Sequence, residues 1–437
     1  MGASSGNRKE VVVQSGDLMI PEPKYDNEGA SQCALINIGK KEEARSFLLI
    51  LSYVQRGKDR GESMTVARVN INPDVLLWAI EYSQRGMEEF KAKFSHVEDW
   101  LKGNSQPTVK QLEDVAKFAY IPFGYLMLSA PPHVAVKKIA DFRTLNNHGF
   151  AATGEYSAAL RDTINIIRRR QEWLSDYKKD NAYAPVDFIG SINRNMPDDE
   201  IVDHITKTLK IPVDWRSNFH NKENTLRFFV DMVENSGISV FINGIVGNNT
   251  KRKLDVDEFR GFALVDKIAP VIFINGADAT AARIFTLFHE VVHLFLGQDG
   301  LDDRSEPFCN RIAARLLVPK ALFNKAWEDN HHDYDELERY FKVSQLVLYR
   351  AALTYGKINE EEYTDLLRQY QAKYSKLAKN SGGGDFYKIS PYRAGRGFCR
   401  YVNEAVNNGS LSYTEAYQLI GVKGNTFANV MSMAKEG

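Results

Sequence analysis

The sequence predicts an α+β fold that is mostly helical, and two patterns indicate it. Three short apolar segments between Ile238 and Asn275 are rich in β-branched and aromatic residues, which is typical of buried strands. On both sides of these segments, apolar residues recur three or four positions apart, as on the buried face of a helix. A small sheet set among helices is therefore expected.

The chain before residue 131 is predicted to form two segments. Residues 1–63 match no pattern that we can assign, and they are treated as an N-terminal extension of unknown role. The helical spacing in residues 64–130 predicts four helices, over Pro73–Tyr82, Met87–Phe94, Val97–Leu101 and Thr108–Tyr120.

This set of helices resembles an Xre-type helix-turn-helix domain. The interval from Phe90 to Trp100 is about one turn shorter than a complete recognition helix requires. We therefore expect DNA binding by this domain to be weak and independent of sequence, and a protein-docking or structural role is the alternative.

A helical connector is predicted over residues 131–235. It carries the basic run Arg168–Arg170, for which a solvated helix face is the ordinary interpretation and an acidic partner the alternative. Residues 236–380 are predicted to form the catalytic core. After a flexible Gly-rich linker at Ser381–Gly384, residues 381–437 are predicted to form a separate small helical domain.

Composition favours an intracellular protein. Lys+Arg and Asp+Glu both total 56, so no net charge draws the chain to nucleic acid or membrane, and partners must be recognised locally. Three widely spaced cysteines argue against a disulfide framework. No secretory signal or membrane span is visible, and we expect a cytoplasmic protein.

The most informative motif is His289-Glu290-Val291-Val292-His293, an HExxH pattern within an apolar helical segment. Histidines four residues apart lie one turn apart on the same helix face, so both imidazoles can bind one metal ion. Burying two imidazoles and a carboxylate without partners is unfavourable, and a metal ion removes that penalty. The motif predicts a catalytic Zn²⁺ site in which Glu290 takes a proton from metal-bound water.

A third protein ligand is expected shortly after Gly297, which ends the motif helix. Glu306-Pro307 begins a second helix, and Glu306 shares a face with Asn310. Glu306 is the predicted third ligand, and Asn310 is predicted to hydrogen-bond the far nitrogen of a ligating histidine. Cys309 is interpreted as a small core residue. The rival ligands are three carboxylates in the intervening turn, Asp299, Asp302 and Asp303.

The stretch from Arg283 to Gly297, followed by Glu306–Pro319, resembles the ImmA/IrrE family of metallopeptidases. In that family HExxH is followed by a Glu-initiated helix that ends in a Leu-Leu-x-Pro turn, here Leu316-Leu317-Val318-Pro319. Ala140–Thr144 and Gly384–Tyr387 are weaker similarities. The resemblance implies a zincin-like core with a gluzincin-like ligand set of His289, His293 and Glu306.

The resemblance also implies a substrate class, because such proteins often act on an Xre-type repressor in bacteria and their phages or belong to toxin–antitoxin pairs. The alternatives are a toxin or regulator that acts by binding alone, and a DNA-binding regulator. Zinc peptidases of this type pair an extended substrate with a strand at the cleft. The predicted substrate strand consists of Val271, Ile272, Phe273, Ile274 and Asn275. His331-His332 is considered as a transition-state stabiliser, with a solvated helix start as the other interpretation.

Overall fold

The computed structural model describes residues 68–132, 156–219, 221–297, 305–329, 332–374 and 393–435, together with the strand at Val12 and Val13. The chain forms two compact units, residues 1–135 and 136–437. Most of the predicted N-terminal extension, the similarities at Ala140–Thr144 and Gly384–Tyr387, and His331 lie outside the described residues. Every helix within the described ranges is too short or too polar to traverse a lipid bilayer.

The first unit is a small helical body. Asn72 caps the helix Pro73–Ser83 by accepting a hydrogen bond from the Asp74 N–H, and Thr108 forms a capping box with Gln111 at the start of the helix Val109–Ala119. Its core contains Phe90, Trp100 and Leu112. Its elements are β1 (Val12–Val13) parallel to β2 (Arg68–Val69), α1 (Pro73–Ser83), α2 (Met87–Lys93), α3 (Val97–Leu101), α4 (Val109–Ala119) and a 3-10 turn (Phe123–Met127).

The second unit is mostly helical and contains a three-stranded mixed sheet, in agreement with the predicted fold class. Its helices are α5 (Ala158–Asp180), α6 (Asp198–Thr208), α7 (Trp215–Asn218), α8 (Lys222–Asn235), α9 (Thr280–Leu296), α10 (Ser305–Leu317), α11 (Lys320–Asp329), α12 (Tyr334–Phe341), α13 (Gln345–Thr354), α14 (Glu360–Tyr374), α15 (Arg396–Asn407), α16 (Tyr413–Ile420) and α17 (Asn425–Lys435). Its strands are β3 (Ser239–Asn243), β4 (Ile245–Val246), β5 (Asn249–Lys253), β6 (Gly261–Leu264) and β7 (Val271–Asn275).

The sheet has the strand order β3-β7-β6, with β3 parallel and β6 antiparallel to β7. Successive side chains of a strand point to opposite faces, and here both faces are covered. Ile272 and Ile274 of β7 belong to a core that includes α8 to α13, whereas Phe273 belongs to a second core formed with α5 and α15 to α17. The sheet is thus the partition between two hydrophobic cores.

The C-terminal helices α15 to α17, which the sequence predicts to be a separate small domain, pack on one face of the sheet as a back layer and belong to the same compact unit as the sheet. Phe398 of α15 packs against Phe241 of β3 with ring centroids 5.6 Å apart. A Cβ on Gly395 would lie 2.7 Å from the Phe241 ring. The start of α15 is therefore in direct contact with strand β3.

A buried arginine joins the predicted connector to this back layer. The Arg170 side chain of α5 donates hydrogen bonds to the carbonyls of Leu419 and Arg393, at 2.8 and 3.2 Å. Its guanidinium also lies 5.1 Å from the Phe241 ring centroid. The expectation of a solvated basic face is therefore wrong for Arg170, although Arg169 is exposed.

A second buried charge lies where α8 meets the back layer. Glu234 is 8 % exposed, and its carboxylate accepts the Gly397 N–H at the start of α15 at 2.9 Å. The Arg400 guanidinium lies 3.9 Å from this carboxylate. Burial outweighs these contacts and raises the pKa of Glu234 to about 7.

We predict that Glu234→Gln stabilises the protein above neutral pH. Because the pKa of Glu234 is raised in the folded state, its contribution to stability is complete below the ordinary pKa of 4.5 and is lost as pH rises through about 7. The amide keeps the acceptor for Gly397 without a charge. At about pH 8 the gain in unfolding free energy should be on the order of 1–3 kcal/mol, and it should shrink towards pH 5.

Chemical denaturation of wild type, Glu234→Gln and the control Glu360→Gln across this pH range measures the effect. Glu360 is exposed on α14, so its variant should follow the wild-type curve. A stability profile of Glu234→Gln that is parallel to wild type at every pH would show that Glu234 does not titrate in this range.

Candidate metal centre

Helix α9 carries the HExxH motif and is almost completely buried. Of its residues, Ile284, Leu287 and Val291 are inaccessible to solvent, and so is His289. The helix ends at Gly297, whose φ is 67°. A Cβ on Gly297 would lie 2.5 Å from the Gly190 Cα, so only glycine fits this end of the helix.

The loop at Gly190 fixes the C-terminal end of α9. The N–H of Gly190 donates to the Leu294 carbonyl, and the N–H of Ile192 donates to the Phe295 carbonyl, both at 3.1 Å. These bonds satisfy carbonyls that a helix end leaves without an intrahelical partner. The last turn of α9, which includes His293, is therefore held in one position.

Helix α10 packs along α9 and presents Glu306 to the two histidines. Phe308, Ile312 and Leu317 are buried in the core shared with α9, and Glu306 lies in the first turn of α10. Its side chain is 21 % exposed, whereas those of His289 and His293 are 1 % and 4 % exposed. The group is thus buried on the α9 side and open to solvent on the Glu306 side.

Three potential ligand atoms converge there. The Nε2 atoms of His289 and His293 are 3.0 Å apart, and the Glu306 Oε1 lies 3.3 and 3.2 Å from them. Ligands of a tetrahedral Zn²⁺ with bond lengths of about 2.0–2.2 Å stand about 3.3–3.6 Å from one another. The observed spacing is close to that range, so the donor set fits one Zn²⁺ ion.

The two imidazoles favour the ionised form of the Glu306 side chain. Burial alone would raise the pKa of Glu306, but the imidazoles of His289 and His293 hold it well below its usual range. Glu306 is consequently a carboxylate at neutral pH, and an anion beside two imidazoles is a common protein environment for Zn²⁺.

Glu290 lies beside this cluster and is 2 % exposed. Strand β6 approaches it closely: a Cβ on Gly261 would lie 3.2 Å from the Glu290 Oε1 and 2.5 Å from the Thr286 Cγ2. Gly261 therefore lets the strand reach the α9 face that bears Glu290. The sequence alone does not reveal the role of Gly261, because a single glycine at the start of a strand does not indicate which helix the strand packs against.

The other predicted contributors take different positions. Asn310 is half-buried, and within the described part of the chain it makes no hydrogen bond with either histidine, so the predicted tautomer-fixing contact is absent there. Cys309 lies beside His293 instead. Burial raises the pKa of this thiol, which keeps it protonated and a weak ligand, and it is outside the ligand group.

The described residues give no support to the rival carboxylate ligands or to a histidine that stabilises the transition state. The rival ligands Asp299, Asp302 and Asp303 lie outside the described residues. His332 stacks on Trp327 with ring centroids 4.7 Å apart, and it makes no described contact with the cluster.

The predicted substrate strand is wrong. Val271–Asn275 is the central strand β7, and its two edges pair with β3 and β6, so it has no free edge for a substrate. Strand β6, which begins at Gly261, is the better candidate for a substrate-binding strand, because among the described residues it pairs with another strand on one side only.

Comparison with known families gives two matches, each to part of the chain. Residues 233–352 match the IrrE N-terminal-like domain of the Peptidase_M78 family, and this range includes the whole sheet, α9 and α10. Residues 394–433 match a domain of unknown function, DUF8813. No curated protein and no solved structure shows significant similarity. The first match supports the ImmA/IrrE resemblance and suggests a metallopeptidase-like function.

We predict that the purified protein binds about one Zn²⁺ per chain through His289, His293 and Glu306. Elemental analysis after dialysis should show that His293→Ala and Glu306→Ala lose most of this metal, because each removes one of only three protein ligands. His204→Ala is the control, since His204 hydrogen-bonds Ser191 and is outside the cluster. Full zinc content in both ligand variants would place the metal site elsewhere.

Proposed function

We propose that the protein is a zinc-dependent endopeptidase that cleaves a specific protein partner. The observation that carries the proposal is the convergence of two imidazole nitrogens and one carboxylate oxygen within 3.3 Å of each other, beside the buried Glu290. The match of residues 233–352 to a peptidase family supports the same class of reaction.

The ligand number favours a catalytic site over a structural one. Structural Zn²⁺ sites are usually closed by four protein ligands, whereas catalytic sites have three and leave a position open. Within the described residues, His289, His293 and Glu306 are the only members of the group. Zn²⁺ bound there would act as a Lewis acid that lowers the pKa of water and polarises the scissile carbonyl.

Glu290 supplies the acid–base chemistry. On the side of strand β6 its carboxylate is not covered by an apolar side chain, because the nearest strand residue is Gly261. As a carboxylate it accepts a proton from the attacking water, and as the acid it donates that proton to the leaving amine. Its near-complete burial limits competing hydrogen bonds from bulk water.

Strand β6 provides the surface for an extended substrate. The Asn275 N–H donates to the Arg260 carbonyl at 2.8 Å, so the pair Arg260–Asn275 is hydrogen-bonded. Hydrogen-bonded pairs alternate along an antiparallel ladder. Gly261 and Ala263, which oppose Ile274 and Ile272, therefore direct their backbone N–H and C=O groups towards the outer edge of β6.

The nature of the partner is proposed from the ImmA/IrrE resemblance. A helix-turn-helix repressor or an antitoxin in bacteria or their phages is the substrate class that this resemblance supports. Backbone pairing along β6 recognises an extended shape and few side chains. Selection of one partner then depends on contacts outside the cleft.

We predict that Glu290→Gln retains zinc and abolishes proteolysis. The amide has nearly the shape of the carboxylate but cannot accept the proton of water, and loss of a general base lowers the rate about 10²–10⁴-fold. Cleavage of the partner and zinc content are measured together. Glu361→Gln, an exposed change on α14, is the control and should leave both unchanged. Cleavage by Glu290→Gln at the control rate would exclude Glu290 as the base.

We also predict that Ala263→Pro weakens the binding of extended ligands without loss of zinc. Proline removes the outward N–H of Ala263, which the sheet does not use, and the loss of one hydrogen bond corresponds to about a fivefold to tenfold weaker Kd. Ala263→Ser retains the N–H and is the matched control.

The ligand for this test is a tripeptide hydroxamate, and acetohydroxamate serves as a second probe that lacks the peptide backbone. Calorimetry should show that Ala263→Pro affects only the tripeptide compound. Equal weakening of both compounds would mean that the substitution disturbs the metal centre, and no weakening of either would remove β6 as the substrate strand.

A further inference from the structure

The first unit contains a cleft that has no part in the proposed peptidase function. It has a volume of about 630 Å³, which is within the range of about 300–1,000 Å³ typical of small-molecule sites. The cleft lies between the end of α2, the turn Phe94–His96, α3 and α4. It is located where the sequence is about one helical turn too short for a complete recognition helix.

The floor of the cleft is aromatic. Phe94 packs edge-to-face on Phe118 with ring centroids 5.6 Å apart, and it is 6.3 Å from the Trp100 ring. Trp100 is 3 % exposed, whereas Phe94 and Phe118 are half-buried and present ring surface to the cleft. A floor of this kind favours a planar apolar ligand, because aromatic rings gain both area burial and ring–ring contacts.

The rim of the cleft is mainly basic. Lys93 has its Nζ 5.4 Å from the Phe118 ring centroid, and within the described residues it forms no ion pair. Its neighbour Lys91, in contrast, is paired with Glu88 and Glu98 at 3.1 and 2.8 Å. An ammonium group above an aromatic floor, without a carboxylate partner, is complementary to a negative charge.

One carboxylate, that of Asp114, lines the rim. It lies 3.3 Å from Lys110 and 3.9 Å from Lys117, and both lysines are shared with Glu113, at 3.5 and 3.9 Å. His96, which lies 3.5 Å from the Asp99 carboxylate, adds a side chain that can donate a hydrogen bond. Among the charged side chains that line the cleft, Lys93 and Lys117 outnumber Asp114, so the lining carries one net positive charge.

We propose that this cleft is a binding site for a planar aromatic ligand that carries a negative charge, with the ring on Phe94 and Phe118 and the anionic group at Lys93. The site is independent of the metal centre and of the proposed peptidase activity.

The test uses the full-length protein and 2-naphthoate, with its neutral isostere 2-naphthamide as the matched ligand. Isothermal titration calorimetry should show that naphthoate binds about threefold to fivefold more tightly than the amide, which is the difference expected for one exposed ion pair. The same difference should disappear in Lys93→Met, since this variant keeps the length of the side chain and removes its charge.

Two further variants control for the loss of charge and for access to the cleft. Lys102→Met removes an equal charge from an exposed position outside the cleft lining, and it should retain the preference for naphthoate. Ser95→Tyr places a ring in the cleft and should weaken both ligands. Equal effects of Lys93→Met and Lys102→Met, equal affinity for the two ligands, or no heat of binding up to the solubility limit would each overturn the proposal.

Discussion

The burial of α9 between the sheet and α10 is the constraint on which the second unit depends. A helix that is apolar on nearly all sides must be covered on all sides, and this one also carries His289, Glu290 and His293 into the interior. Each buried polar group without a partner would cost about 1–3 kcal/mol. The convergence of Glu306 on the two imidazoles is the local solution, and the same arrangement is compatible with a bound metal ion.

Glycine at two contacts makes this close packing possible. Gly297 allows the Gly190 loop to reach the last turn of α9, and Gly261 allows β6 to reach the turn that bears Thr286 and Glu290. A methyl group at Gly261 would collide with the Thr286 Cγ2, so the separation of strand and helix is set by the absence of a side chain. The position of Glu290 relative to the outer edge of β6 follows from that separation.

Local periodicity predicted that His289, His293 and Glu306 converge, but it carries no information on the order of the strands in the sheet. The i, i+4 spacing of His289 and His293 is a property of one helix, and the position of Glu306 in the first turn of α10 follows from Pro307 and the polar turn before it. The choice of β7 as the substrate strand failed because β6 and β7 are both apolar, and strand order depends on pairing between segments distant in sequence. The role of Gly261 was hidden for the same reason.

The composition of the sequence predicts a domain boundary before the C-terminal helices, but these helices share a hydrophobic core with the sheet. The glycine run at Ser381–Gly384 predicts a flexible linker, yet Arg170 of α5 and Glu234 of α8 each hydrogen-bond backbone groups of the C-terminal helices. Phe241 and Phe273 point to this back layer, while their neighbours in β3 and β7 face α9. Loss of the C-terminal segment would uncover part of the sheet face that α5 and the back layer cover together, on the side opposite to α9. The segment that matches DUF8813 therefore contributes to the packing of the sheet that supports α9.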